Sequence, residues 1–408
     1  MTERTGKSSA LVARTRRLDG DVDLISVAGS GGVIWQGGDT GLAGSGVAIR
    51  VAADPASART VLGAIEVDDQ VGLPGCGPVA FGALPFDPGS DGELIVPSVV
   101  WGRRGGTRWV TSIGPADNAD DGPPEPPGPA PSSVAPSSFA VTSTLAPQEW
   151  MTAVAAGRDF VQSGALRKLV LGREVVVQAD APFAIATLLR RLRAAYPDAY
   201  LYAVDGFIGA SPELLVSRTG DLVAAHPMAG TVPRSGDPTT DARLAAGLLA
   251  SAKDREEHQI TIDAVHEALL PWCSYLDYEA EPSVVAMANV AHLATRVDGR
   301  LSDPTPSVLE LVAALHPTPA VGGSPRPVAL ELIAKLESLD RGRFTGPVGW
   351  VDAHGNGSFA VGIRCAEVSG STARLYAGVG VVADSEPDAE LAETRAKFQA
   401  LLTALVQP

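Results

Sequence analysis

The sequence predicts an α/β protein, and two observations support that class. The first hundred residues read as short apolar runs separated by glycine turns, with one helical stretch near 55–65. Beyond residue 138, stretches with the apolar spacing of helices alternate with runs typical of strands. A length of 408 residues fits one large domain or two or three smaller ones, and 45% hydrophobic residues allow a large core.

Residues 1–114 are predicted to be rich in strands and to carry few groups suited to catalysis. The apolar runs are short and are bounded by glycine or proline, a pattern typical of strands that end in turns. The predicted strands are DLISVAG, GVIWQGG, GVAIRVAA, PVAFGALPF and ELIVPSVVWG.

Residues 115–138 read PADNADDGPPEPPGPAPSSVAPSS and are rich in proline and in polar and acidic side chains. A segment with so little apolar surface cannot offset the conformational entropy that it would lose on ordering. We therefore predict a mobile loop here, which separates the N-terminal part from residues 139–408.

Residues 139–408 are predicted to alternate between helix and strand. The predicted helices are PQEWMTAVAAGRDFVQSG, PFAIATLLRRLRAAY, a region from 241 to 272, two helices within 306–338 and a closing helix over 387–405. The predicted strands are RKLVLGREVVVQ, AYLYAVDG, two runs around 284–287 and 291–297, and then GPVGWVD, GSFAVGIRCAEV and ARLYAGVGVVA.

The charge balance argues against two classes of partner. The chain has 47 Asp and Glu against 32 Lys and Arg, and its net charge of -15 repels both nucleic acid and anionic lipid. No run reaches the roughly 18 apolar residues of a membrane span, and the basic N-terminus lacks the apolar core of a signal peptide. The three scattered cysteines form no CxxC motif. We therefore expect a cytoplasmic protein that binds neither nucleic acid nor membrane.

Two stretches, KDREEHQ and SEPDAELAETRAKF, place carboxylates three residues apart. If each stretch is helical, Asp254 and Glu257 share one face, and so do Glu390 and Glu393. Two helices that each offer such a pair could bind Mg²⁺, with water completing its coordination. Spacing alone favours a plainer alternative, in which the acids mark helix starts and Glu393 forms an exposed ion pair with Lys397.

A series of motifs changes that balance, because together and in order they resemble the chorismate-utilising enzyme family. The motifs are LRKLVLGRE, GASPELLV, HPMAGTVPR, SAKDREEHQITID, NVAHLATRV, LHPTPAVGG, FTGPVGWVD, FAVGIRCAEV and AGVGVVADSEPDAELAETRAKF. The resemblance covers roughly 147–405, and within the family the chain is most similar to isochorismate synthases. It implies a single α/β domain, in which two packed and mainly antiparallel sheets are flanked by helices and enclose the site.

The resemblance also implies a magnesium site. Glu257 and Glu393 match the glutamates that bind Mg²⁺, while Asp254 and Glu390 match nearby carboxylates that act directly or through water. The family commonly has Glu at the position of Asp254, and the shorter side chain makes direct binding of the metal less expected there. Glu256 is predicted to face water.

For chorismate itself, Arg364 and the backbone amides around Gly378 and Gly380 match a clamp on a substrate carboxylate. An arginine fork suits this task because it can donate two parallel hydrogen bonds to one carboxylate. Considered without the family, His292 reads as a core histidine and Lys397 as a surface lysine. The other positions that the resemblance places against substrate are Thr231, His292, Ala320, Phe344 and Lys397.

Two residues match the proton-transfer groups of the family. Lys168 matches the general base that activates water, and Glu213 matches the acid that protonates the departing hydroxyl. These roles require a neutral lysine and a protonated glutamate. At its ordinary pKa, only about one lysine in a thousand is neutral near pH 7.4, a cost of roughly 4 kcal/mol. We expect burial and the metal's charge to supply much of the shift that Lys168 needs.

The resemblance implies an isochorismate synthase, which converts chorismate to isochorismate with Mg²⁺, and it leaves several alternatives. Salicylate synthases usually carry Tyr at Phe344 and Thr at Ala320, which disfavours pyruvate elimination by this chain. Ala229 stands where aminodeoxychorismate synthases have a nucleophilic lysine. Lys168 disfavours an ammonia route, so no amidotransferase partner is expected. A catalytically silent chorismate-binding protein is a further alternative, and menaquinone, siderophore and salicylate pathways all stay open.

Overall fold

The computed structural model describes residues 10–29, 31–116, 124–128 and 135–406. Of the predicted mobile loop, residues 117–123 and 129–134 lie outside the described residues. Residues 124–128 and 135–138 form neither helix nor strand. The mobility of this segment stays a prediction.

The helices and strands of the described residues are numbered in chain order. The helices are α1 (Leu24–Gly29), α2 (Pro55–Gly63), α3 (Pro147–Gln162), α4 (Ile185–Ala195), α5 (Pro238–Ala250), α6 (Ala252–Leu269), α7 (Val308–Leu315), α8 (Arg326–Leu336) and α9 (Pro387–Val406). The strands are β1 (Leu11–Arg17), β2 (Val33–Gly37), β3 (Thr40–Ser45), β4 (Ile49–Ala52), β5 (Glu66–Asp69), β6 (Val79–Ala83), β7 (Glu93–Val96), β8 (Val99–Arg104), β9 (Thr107–Pro115), β10 (Phe139–Ser143), β11 (Lys168–Ala179), β12 (Tyr200–Val204), β13 (Phe207–Ser211), β14 (Leu214–Thr219), β15 (Leu222–His226), β16 (Met228–Pro233), β17 (Cys273–Tyr278), β18 (Ser283–Ala286), β19 (Val290–Ala294), β20 (Val297–Leu301), β21 (Gly323–Ser324), β22 (Pro347–Asp352), β23 (Gly357–Val361), β24 (Cys365–Ser369) and β25 (Thr372–Val381).

These strands form two large sheets and one small one within the described ranges. The first runs in the order β10-β11-β25-β24-β13-β12-β2-β3-β8-β9-β1-β5, with β21 added beside β11. The second runs β17-β20-β15-β14-β23-β22-β6-β7-β4, and the third is β16-β19-β18. Neighbouring strands are antiparallel apart from the parallel pair β1 and β5. Strands from both sides of the Pro-rich segment share both large sheets, so the predicted α/β fold of mainly antiparallel sheets is confirmed.

The core fills the space between the two large sheets and the space beneath the helices. One buried cluster joins side chains of β2, β3 and β8 in the first sheet to side chains of β6 and β22 in the second. Another packs α1, α4 and α9 against the opposite face of the first sheet. Both sheets therefore bury at least one face, which is what their β-branched and aromatic sequences require.

The predicted elements are mostly confirmed, with one error in the N-terminal part and four strands there, β1, β3, β5 and β9, that were not predicted. DLISVAG was predicted as a strand, but Leu24–Gly29 forms the short helix α1. A run this short has no period that separates helix from strand, and here the side chain of Asp23 accepts hydrogen bonds from the first turn of the helix. LVARTRR, which was not predicted as a strand, forms β1 within the first sheet.

Helix α6 begins where the charged stretch KDREEHQ begins. The Ser251 side chain caps the helix by accepting a hydrogen bond from the Asp254 backbone amide. Asp254 and Glu257 then follow on one face, while His258 and Thr261 are buried. No helix in the described part of the chain is both long and apolar enough to cross a membrane.

Candidate active site

A cavity of about 320 Å³ is enclosed by β11 and β25 of the first sheet, β16 and β19 of the small sheet, and the helices α6 and α9. All of the residues that the sequence predicts for the site line this one cavity. They are Lys168, Glu213, Thr231, Asp254, Glu257, His292, Ala320, Phe344, Arg364, Gly378, Gly380, Glu390, Glu393 and Lys397. The fold thus brings them together, while their individual roles stay predictions.

Lys168 opens strand β11, and its side chain is only 1% exposed. Its Nζ lies 2.8 Å from Oε1 of Glu257 on α6. Burial alone would raise the pKa of Glu257, but the charge and hydrogen bond of Lys168 lower it instead. Gly380 makes room for this pair, because a Cβ there would lie 2.7 Å from Glu257 Oε1 and 2.9 Å from Lys168 Cε. Any larger residue at 380 would force one or both of these side chains to shift.

Glu213 follows β13 and is also buried, with 3% of its surface exposed. Its backbone amide donates to Ser211 Oγ at 3.2 Å, which fixes the turn that aims the side chain. Burial raises the pKa of Glu213 to about 8, against the lowering effects of a Met228 backbone hydrogen bond and the charges of Lys168 and Arg364. At neutral pH this carboxyl is therefore mostly protonated and can donate a proton.

Arg364 lies between β23 and β24 in a left-handed backbone conformation, with φ of 51°. Such a conformation costs a non-glycine residue free energy, and it turns this buried side chain into the cavity. The Arg364 guanidinium donates to His292 Nε2 at 3.0 Å, so the other ring nitrogen of His292 carries the proton and donates to Thr231 Oγ1, also at 3.0 Å. Burial and the charges of Arg364 and Lys397 keep the pKa of His292 well below its usual value. His292 therefore acts as a neutral support that orients the arginine.

Helix α9 brings the second pair of acids. Lys397 Nζ lies 2.6 Å from Glu393 Oε1 and donates to the Gly378 carbonyl at 2.8 Å. The side chain of Lys397 is only 11% exposed, so this pair forms in the cavity wall rather than on the surface. Gly378 and Gly380 lie beyond Leu375, the last residue of β25 that pairs with β24. This edge of the strand therefore has no β24 partner at Gly378 and Gly380, and binding of a substrate carboxylate by their amides stays a prediction.

The two acids without a lysine contact behave differently from Glu257. Burial and the charge of Glu393 raise the pKa of Glu390 to about 7. Burial, with the charges of Glu257 and Glu393, raises the pKa of Asp254. Close carboxylates that resist ionisation indicate a place where additional positive charge would be stabilised.

These acids can be tested as a magnesium site by the chemistry of their donors. Among the described residues, no three Asp, Glu, His or Cys side chains form a group that could hold a metal ion. Mg²⁺ does not need such a cage, because it usually keeps several waters and takes one or two carboxylates together with substrate oxygens. Carboxylates on two helices fit an open site of that kind. Each of Glu257 and Glu393 contacts its lysine through Oε1, which leaves its second carboxylate oxygen to bind a metal ion.

Phe344 and Ala320 form part of the wall near β11. Phe344 is 2% exposed and stacks on Tyr376, with ring centroids 5.2 Å apart and planes 14° apart. Tyr376 also lines the cavity, and the sequence reasoning missed it. The alternation of side chains along a strand places Tyr376 on the same face as Gly378 and could have revealed it. Lys253, at the cavity edge four residues before Glu257, was missed in the same way.

The fold and this cavity define a class of protein. Three lysines, one arginine and five carboxyl groups line the cavity, and one of those carboxyl groups has a strongly raised pKa. This arrangement suits an enzyme that binds a small anionic molecule and transfers protons to and from it. The family described as chorismate binding enzyme matches residues 126–406, and the chain belongs to that family.

Comparison with known proteins gives more detailed likenesses. The chain is 40% identical over 339 residues to the isochorismate synthase DhbC of Bacillus subtilis, a match that covers 80% of this chain and 81% of the relative. It is 41% identical over 264 residues to the salicylate biosynthesis isochorismate synthase of Pseudomonas aeruginosa, covering 63% of this chain and 55% of the relative. The solved structure of MenF, the menaquinone-specific isochorismate synthase from Escherichia coli, superimposes with a TM-score of 0.83 at 24% identity, covering 98% and 95% of the two chains. At that identity the last comparison shows the shared fold alone.

Proposed function

We propose that this protein is an isochorismate synthase, which converts chorismate reversibly to isochorismate in the presence of Mg²⁺. One observation carries the proposal: a single cavity joins the buried amine of Lys168 to the carboxyl of Glu213, which burial keeps protonated near neutral pH. The isochorismate synthases among its relatives support the same reaction.

In this reaction, Lys168 takes a proton from water, and the resulting hydroxyl adds at ring carbon 2. The ring double bonds shift, and the hydroxyl at ring carbon 4 leaves with the proton of Glu213 as a second water molecule. Atoms balance because one water enters and one leaves. Lys168 can accept that proton only as a neutral amine, which has one lone pair and can still donate an N–H to Glu257 across the 2.8 Å contact between them.

Arg364 binds a carboxylate of chorismate through its fork, and His292 and Thr231 hold that fork in place. The free edge of β25 at Gly378 and Gly380 supplies backbone donors beside it. When magnesium is bound, Glu257 and Glu393 would hold it, and it would supply positive charge for the substrate's ring carboxylate. Asp254 and Glu390 would contact the same ion directly or through water.

A second candidate is a salicylate synthase, which would also eliminate pyruvate from isochorismate. A tyrosine at position 344 is usual in those enzymes, whereas Phe344 here is buried against Tyr376 and offers no hydroxyl. Ala320 likewise offers only a methyl group. Both positions support release of isochorismate.

The test is incubation of the purified protein with chorismate and Mg²⁺, followed by chromatographic separation of isochorismate, salicylate and anthranilate. We expect isochorismate and residual chorismate at equilibrium, loss of turnover with a chelator, and no response to glutamine or ammonia. Salicylate as the main product would replace the proposal with the second candidate. Binding of chorismate without any product would identify a silent homologue.

A further inference from the structure

Strand β11, which carries Lys168 at its start, has a gap along one edge. The two-residue strand β21 pairs only with Lys168 and Leu169, and β10 pairs with β11 only from Val175 onward. Backbone groups in between need other partners, since buried amides and carbonyls are rarely left without one. The gap begins at Val170, two residues beyond Lys168, and Val170 also lines the cavity.

Three side chains, those of Trp150, Glu337 and Arg341, fill this gap. The Val170 carbonyl accepts from Arg341 at 2.8 Å, and the Gly172 amide donates to Glu337 Oε1 at 2.6 Å. Glu337 and Arg341 also bind each other through both carboxylate oxygens, at 2.5 and 2.8 Å. Each side chain of this pair is only 3% exposed. The Gly172 carbonyl accepts from the Trp150 indole at 2.9 Å, so this indole and a buried ion pair together replace the missing stretch of strand.

Arg341 links β11 to two loop residues of the cavity wall, Val321 and Thr345. It donates to the Val321 carbonyl at 2.8 Å and to Thr345 Oγ1 at 3.3 Å. With its bonds to Val170 and Glu337, all five N–H donors of the guanidinium are engaged. Val170, Val321 and Thr345 all line the cavity, whereas Glu337 and Arg341 do not.

We infer that Glu337 and Arg341 are positioning residues, which set the location of Lys168 relative to the opposite cavity wall. This inference rests on the proposed function, because it treats Lys168 as the base. A lysine could donate to some of these acceptors but lacks the planar fork that joins four groups at once. A displacement of the base by about 1 Å can slow a reaction on the order of 100-fold.

The main experiment compares Arg341→Lys with Arg343→Lys. Arg343 makes a matching two-point ion pair with Glu367 and donates to the Val204 carbonyl, but unlike the backbone partners of Arg341, neither Glu367 nor Val204 lines the cavity. We expect Arg341→Lys to lower kcat about 10- to 100-fold while KM for chorismate changes less than about threefold, since Arg364 is untouched. Arg343→Lys should leave both constants within about twofold of the wild-type values.

A second measurement separates positioning from general loss of structure. Hydrogen exchange of the peptide spanning 168–173 should speed up in Arg341→Lys and in Glu337→Gln, while peptides from α6 and α9 keep their wild-type rates. If exchange speeds up but kcat equals that of Arg343→Lys, the positioning role is overturned. If kcat falls only in proportion to the folded fraction measured by circular dichroism, it is overturned as well. A wild-type protein with no isochorismate formation would instead overturn the proposed function, and this inference with it.

Discussion

Two glutamates in the same cavity have opposite acid–base behaviour. Glu257 and Glu213 are both largely buried, and both feel the charge of Lys168. Glu257 touches that lysine at 2.8 Å, and its pKa falls below the usual value. Glu213 has no such contact, and burial raises its pKa to about 8. Direct contact with a cation, rather than depth of burial, decides which of the two is charged at neutral pH.

This difference matters because the proposed reaction needs one carboxylate that stays charged and one carboxyl that gives up a proton. Lys168 contacts Glu257 and stabilises its charge, while Glu213 lies too far away for such a contact and stays protonated. The charged Glu257, the protonated Glu213 and the contact between Lys168 and Glu257 can each be altered separately.

The largest effect is expected for Glu257→Gln. The substitution keeps the shape of the side chain but removes the charge that faces Lys168 and would face magnesium. We expect kcat/KM for isochorismate formation to fall about 1,000-fold, in the range seen when a preorganised charge is lost. Glu256→Gln, one residue earlier on the exposed side of α6, is the control and should stay within about twofold. Equal activity of the two variants would contradict the role of Glu257.

Glu213→Gln should be next in size, with kcat lower by about 100-fold or more and thermal stability preserved. Glutamine fills the same space but has no acidic proton for the departing hydroxyl. KM should change little, because Arg364 and the free edge of β25 bind the substrate. A large increase in KM with kcat unchanged would show that Glu213 binds substrate rather than donating a proton.

The pH profile tests Glu213 without a substitution. Its pKa is raised from 4.5 to about 8, so the protonated form that donates is lost as the pH rises through 8. We expect kcat/KM to fall about tenfold per pH unit above that point, and the Glu213→Gln variant to lack this limb. Stability follows from the same shift: because the pKa of Glu213 is higher in the folded state, its contribution to stability falls as the pH rises from about 4.5 to about 8 and is level above that. The gain in Tm of Glu213→Gln over the wild type should therefore be larger at pH 9 than at pH 6. A flat profile to pH 9.5 would contradict the assignment.

Gly380→Ala should have the smallest effect of the four, and it disturbs the contact between Lys168 and Glu257 directly. The added methyl would lie 2.7 Å from Glu257 Oε1 and 2.9 Å from Lys168 Cε, so at least one of the two side chains must shift. We expect roughly a tenfold loss of kcat, since small displacements at a reacting centre are costly. Gly378→Ala is the matched control, because its nearest neighbour would be 3.3 Å away, and it should lose less.

The sequence was sufficient for the longer helices and for a set of residues that the fold brings into one cavity. Helices such as α3 and α4 were predicted because their apolar residues recur at helical spacing over several turns. The short helix α1 was predicted as a strand because six residues carry too little periodicity. The cavity residues were found through motifs, and their arrangement in one cavity depended on the fold.

Contacts between distant segments could not be predicted from the sequence. Nothing in KLVLG or KDREEHQ indicates that Lys168 and Glu257 meet, or that Gly380 leaves the space for them. Glu337 and Arg341 have the ordinary spacing of a helical ion pair, yet they lie beyond the end of α8. Their partners on β11 and in the loop at 321 follow only from the packed structure.

The gap in the edge of β11 makes this part of the fold adjustable. A paired strand moves only if its neighbour moves, because a whole ladder of hydrogen bonds fixes the register. Here the side chains of Trp150, Glu337 and Arg341 replace the ladder, so single substitutions at Glu337 or Arg341 can change the local spacing and leave the sheet order intact. An engineer who wishes to tune Lys168 in small steps therefore has a means of doing so outside the cavity.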